Sequence, residues 1–213
     1  MKQALLLLSS LALVPLAPFQ LPQPTAHAAP PWIGKDSHQG LTVSADPYLD
    51  ADRAKAKFEK ADPYKAGLLA IDVSFKNDTG TPIHVDLSTL RLDVDSPDGR
   101  RFHLPPLSVA EAARQIAHPQ GASLPRPRRL PSISPPGGDD SKTRSAKDKL
   151  EPLALQADVV PPDGAIHGFV FFDVNNHFDA VSNASLYLPD VKSVTSDTAM
   201  IYFEVPLGPK AQH

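Results

Sequence analysis

With no cysteine among its 213 residues, the sequence excludes a thiolate metal site and a cysteine nucleophile, and its histidines and aspartates become the first candidates to hold a metal ion or move a proton. His84 and Asp86 are two positions apart, so a strand would carry both on one face. His103 belongs to a segment that can neighbour them, His167 opens a later apolar run, and His177 follows in a loop. Imidazole and carboxylate are the usual zinc ligands outside thiolate sites, so three of these groups meeting would make a metal centre or a metal-dependent hydrolase. No two of these histidines have the short spacing of a ligand pair, and scattered surface histidines account for the pattern better. The expectation is therefore no catalytic residue, no metal and no cofactor.

Asp93, Asp95 and Asp98 place carboxylates close together, as a calcium loop does. Asp98 is out of step with that loop, however, and Leu104 stands where the closing glutamate belongs, so the segment reads as a solvated hairpin tip. Gly-x-Ser-x-Gly, His-Glu-x-x-His, phosphate-loop and dinucleotide-binding patterns are all missing. Arg126, Arg128 and Arg129 form the one concentrated basic run and are the candidate partner-binding residues, with further lysines from Lys142 to Lys149. Such a run suits an anionic surface or acidic partner, but a charged linker kept soluble by self-repulsion accounts for it better, because no aromatic residue interleaves with it as nucleic-acid binding would favour. The formal net charge of -3 adds no global attraction for nucleic acid. Asn77 and Asn183 each begin a glycosylation sequon.

The elements that must position these groups are strands. Leu69, Ile71, Val73 and Phe75 alternate with polar residues, and Ile83, Val85 and Leu87 repeat the alternation after a turn at Asn77 to Gly80. Leu90, Leu92 and Val94 continue with the phase flipped, which implies a bulge or a change of sheet around Ser88 and Thr89. Ser96 to Gly99 turns the chain into Arg101 to Leu104. Leu41 to Val43 reads as a short edge strand. Asp50 to Lys60 reads as a surface helix capped by Asp50 and pinned by Phe58, and Ser108 with Glu111 has capping-box spacing ahead of a second helix. Ile166 to Val174 is apolar on both faces, as a central buried strand requires, and Gly168 leaves room there for a close neighbour. Leu153 to Ala157, Ala184 to Pro189 and Ala199 to Leu207 complete the strand set.

Residues 1–28 have the layout of an export signal, with Lys2, an apolar run to Leu16, and small residues at Ala26 and Ala28. Cleavage there would leave residues 29–213 as one domain in the periplasm or secreted, with no membrane span. Pro119 to Lys149, rich in proline and poor in large apolar residues, reads as a disordered insertion between two halves of one core.

Together these features predict an all-β fold: an immunoglobulin-like β-sandwich of about 7–9 strands with one or two short helices and that insertion. The runs Phe75 to Asp86 and Leu90 to Gly99, the turn Pro162-Asp163-Gly164 and the strand Gly168 to Phe172 resemble bacterial exported immunoglobulin-like domain proteins. The resemblance rests on structural positions, so it implies a fold more than a function. The function expected is a non-enzymatic binding or scaffolding module of the cell envelope that contacts a protein or envelope partner. The alternative is an exported hydrolase or metal-dependent enzyme using His and Asp on a sheet face, which requires His84, Asp86, His103 and His167 to converge.

Overall fold

A computed structural model describes residues 33–96, 98–119, 140–196 and 199–208. Arg126, Arg128, Arg129 and the export signal lie outside these. The described chain is predominantly β, with every sheet antiparallel. Strands β1 (Gly34–His38), β2 (Leu41–Pro47) and β3 (Leu68–Asn77) are followed by β4 (Ile83–Val85), β5 (Arg91–Asp95) and β6 (Arg101–Leu104). After two helices come β7 (Val159–Val160), β8 (Ala165–Asp173), β9 (Ala184–Leu188), β10 (Val191–Ser193) and β11 (Phe203–Pro206). Sheet A has the order β1-β2-β3-β8, sheet B β10-β4-β7 and sheet C β11-β9-β5-β6.

Alternation decides what each sheet buries. Leu69, Ile71, Val73 and Phe75 of β3 enter one core with Leu92 and Val94 of β5, Leu186 and Leu188 of β9, and Phe203 and Val205 of β11. Ile83, Val85, Val160 and Val191 bring sheet B into the same core. The opposite face of sheet A is covered by helices α1 (Ala51–Phe58), α2 (Val109–Ala117) and α3 (Ser141–Leu150). There Leu68 and Ala70 of β3 and Phe169 and Phe171 of β8 meet Phe58, Ala112, Ala113 and Leu150. The rings of Tyr48, Phe58 and Phe169 pack edge to face, with centroids 4.8 to 5.9 Å apart. Strand β8 is therefore buried on both faces, as its sequence requires, but it is not central: it ends the order of sheet A, and its free edge takes single bridges from Leu107 and Ala154.

Local chemistry fixes the helix ends. Asp50 accepts from the Arg53 amide at 2.8 Å, and Ser108 with Glu111 forms both bonds of the capping box. At Gly168 an added Cβ would lie 2.5 Å from the Leu155 amide nitrogen, because the 153–155 segment exchanges backbone hydrogen bonds with Phe169. At Gly34 it would lie 1.9 Å from the Pro206 carbonyl oxygen, so glycine lets β1 approach β11.

Several expectations need correction. The turn after Asn77 does not close a hairpin: β3 pairs with β2 and β8, while β4 pairs with β10 and β7. The chain passes from sheet A to sheet B there, and the phase flip at Ser88 and Thr89 marks its passage to sheet C. Strand β2 is interior rather than an edge, because the polar segment Gly34–His38 pairs outside it. The described residues hold eleven strands and three α-helices, more of each than expected. The third helix lies in the segment read as disordered. Thr143, Ala146 and Leu150 recur on one face of α3 and are buried; small residues suffice because α2 presents Ala112 and Ala113 to the same core. Leu153 to Ala157 forms only a bridge to Phe169, not a strand.

Candidate functional site

The histidines and aspartates singled out by the sequence do not converge. His84 lies on β4 of sheet B, where its Nε2 is 3.7 Å from Asp158. The Asp86 carboxylate accepts from the Ser88 amide and hydroxyl at 2.9 and 2.6 Å, which holds its pKa below the ordinary aspartate value. His103 lies on β6 of sheet C, and His167 lies on β8 of sheet A, 3.8 Å from Asp72. Burial pushes the Asp72 carboxyl upward in pKa. Three separate sheets thus carry the proposed ligands, and among the described residues no group of three His, Asp or Glu side chains is placed to hold a metal ion. The three hairpin acids are each taken by an arginine: Asp95 by Arg101, Asp98 by Arg100, and Asp93 by Arg91, with His103 beside it.

The last pair leads to the surface that sequence reasoning missed. Leu92 and Val94 turn inward, so Arg91, Asp93 and Asp95 point to the outer face of sheet C, joined there by Ser185, Tyr187, Glu204, Arg101 and His103. Register sets two rows across the strands. Glu204, Tyr187 and Arg91 form one, and Ser185, Asp93 and His103 form the other.

Asp93 is only 3% exposed although it lies on the outer face. Its Oδ1 accepts from Arg91 Nε at 2.9 Å and from His103 Nδ1 at 2.6 Å. The contact engages Nδ1, and the other ring nitrogen of His103 points away from Asp93. The Arg91 guanidinium also stacks 4.3 Å from the Tyr187 ring, and Tyr202, which is 51% exposed just before β11, packs on Tyr187 at 5.4 Å. A continuous line of planar groups thus runs from Tyr202 through Tyr187 and Arg91 to the buried Asp93.

This arrangement does not bring a serine and a histidine together. Ser185 shares a row with Asp93 and His103, but it stands on the far side of Asp93 from the imidazole, two strand spacings or about 10 Å away. Its hydroxyl donates to Glu204 at 2.9 Å. A serine nucleophile needs its base within hydrogen-bond reach, so no triad assembles here. The signal in the sequence was Tyr187 at an outward position of β9 and Tyr202 just before β11, legible only once the register is known.

The asparagine sequons also acquire definite roles. Asn77 is fully buried; its amide donates to the carbonyls of Thr81 and Pro161, and its oxygen accepts from the amide and hydroxyl of Thr79. That side chain is a structural clamp, closed to a glycan. Asn183 is exposed at the end of a short 3-10 helix, Phe178–Asn183.

Among the described residues no helix is long and apolar enough to cross a membrane. No protein-family model matches the sequence, and no curated protein matches it. Among solved structures the chain is similar to a functionally unknown protein from Listeria monocytogenes EGD-e, at 10% identity and a TM-score of 0.37, over 83% of this chain and 85% of that one. A likeness at that level assigns neither fold family nor function.

Proposed function

We propose that the protein is a non-enzymatic binding module of the cell envelope, exported by its N-terminal signal, with the outer face of sheet C as its recognition surface for a protein partner. The observation that carries this reading is the Tyr202–Tyr187–Arg91–Asp93 line. Tyrosine and arginine dominate the energetics of protein interfaces, since both offer large contact areas and polar tips. Arg91 is held at once by a buried carboxylate and an aromatic ring, so little side-chain entropy remains to be lost on binding. The antiparallel sheets A and C, contributing to one core without a disulfide, support an immunoglobulin-like sandwich that has gained a helix layer on sheet A. The hydrolase alternative gains no support, because its residues are dispersed over three sheets.

A photo-crosslinking residue placed at Tyr202 in the exporting cell tests the surface. It should yield a discrete adduct that disappears when Arg91→Ala is added, whereas the same probe at Lys35 on β1 should yield none. Equal labelling from both positions would contradict the assignment. Export itself predicts that protein recovered from the envelope begins at Ala29; an intact Met1 would contradict it.

A further inference from the structure

The helix layer carries a groove of about 330 Å³ on the side of the molecule that the binding face does not use. It lies between the ends of α1 and α2 and one face of α3. Lys142, Ser145 and Lys149 share that face by helical spacing, and Lys60 approaches from the residues just after α1. Among the described residues no carboxylate lines the groove. Glu59 takes Lys149 at 2.5 Å, whereas neither Lys60 nor Lys142 has an ion-pair partner among the described residues. The floor is built largely from alanines, Ala61, Ala117 and Ala146, which leaves the hollow open.

The walls are pinned independently of any ligand. His118 at the end of α2 meets the α3 cap residue Asp140 at 2.5 Å, and the Lys149–Glu59 pair ties α3 to α1. Ammonium groups gathered round one hollow repel each other, and an anion between them relieves that repulsion. Ser141 and Ser145 add hydroxyl donors at the same place. Lysine is a compact point charge with three donors that suits a tetrahedral oxyanion, whereas bidentate recognition of a planar carboxylate favours the arginine fork. With the whole chain at -3, the attraction is local to this groove.

We propose that this groove binds a compact phosphate-bearing small molecule with at least two negative charges, its phosphate oxygens held between Lys60 and Lys142. A volume near the lower end for small-molecule sites fits a diphosphate-sized group. The test is calorimetric titration of the intact protein with inorganic pyrophosphate at constant ionic strength, alongside vesicles of phosphatidylglycerol and phosphatidylcholine. Saturable single-site binding of pyrophosphate is expected. The double variant Lys60→Gln/Lys142→Gln should weaken it by about tenfold or more, and Lys35→Gln should leave it within about twofold. Circular dichroism and urea midpoints of both variants should match the parent, and amide shifts on pyrophosphate addition should centre on Ser141 to Ser145. No saturable binding, equal affinity in the double variant, or binding to anionic vesicles alone would overturn the proposal.

Discussion

The side-chain amide of Asn77 donates to the Pro161 carbonyl oxygen at 3.1 Å across 84 residues of chain. It joins the end of β3 in sheet A to the residue that follows β7 in sheet B. The same side chain holds the Asn77–Thr81 turn through Thr79 and Thr81. A group that satisfies so many buried partners cannot be removed without leaving carbonyls unpaired.

Asn77→Ala should therefore cost about 2–4 kcal/mol, since each lost hydrogen bond contributes roughly 1 kcal/mol and orphaned partners add to it. Asn183→Ala, at an exposed position, should change stability by less than about 0.5 kcal/mol. Urea unfolding of both variants checks the contrast. Equal midpoints would show that the clamp contributes nothing.

Phe171 and Phe172 are adjacent on β8 yet lie in different cores, the first under the helices and the second between the sheets. Each is almost fully buried, so Phe171→Ala and Phe172→Ala should each cost about 3–5 kcal/mol. Because the two cavities open on opposite sides of sheet A, their effects in the double variant should add to within about 0.5 kcal/mol. A mild Phe171 variant would mean that the helix layer is a loose appendage.

Asp140 accepts from the Thr143 amide at the start of α3 and meets His118, and these contacts lower its pKa from the ordinary value near 3.8 to about 2. A depressed folded-state pKa contributes stability above the unfolded-state value, and that contribution disappears as pH falls towards 2. The α3 cap should accordingly persist through pH 3 and fail below it. Carboxyl-carbon NMR of Asp140 should show a midpoint near 2; titration near 3.8 would remove the cap from the account.

Strand alternation made most of sheets A and C legible, because a half-buried strand repeats every two residues whatever it pairs with. Both early helix caps were equally legible, since Asp50 and the Ser108–Glu111 pair act within one turn. Pairing was not. Nothing local distinguishes a hairpin at Asn77 to Gly80 from a crossing between sheets, and β1 carries too few apolar residues to register as a strand. Helix α3 escaped because a stripe of Thr143, Ala146 and Leu150 looks polar until the alanines of α2 lie opposite. The proposed recognition face was the least legible part. Arg91, Asp93, His103, Tyr187 and Tyr202 come from four separate segments that only the register of sheet C brings side by side.

The central claim is that this line of side chains carries the binding energy. The partner recovered by crosslinking at Tyr202 can be titrated against the parent protein, Arg91→Ala/Tyr187→Ala and Lys35→Gln. Loss of two central contacts of this kind should cost more than about 2 kcal/mol, a fall in affinity of about thirtyfold or greater, with Lys35→Gln unchanged. Affinity within about threefold of the parent in the Arg91/Tyr187 double variant, still folded by its urea midpoint, would contradict the account.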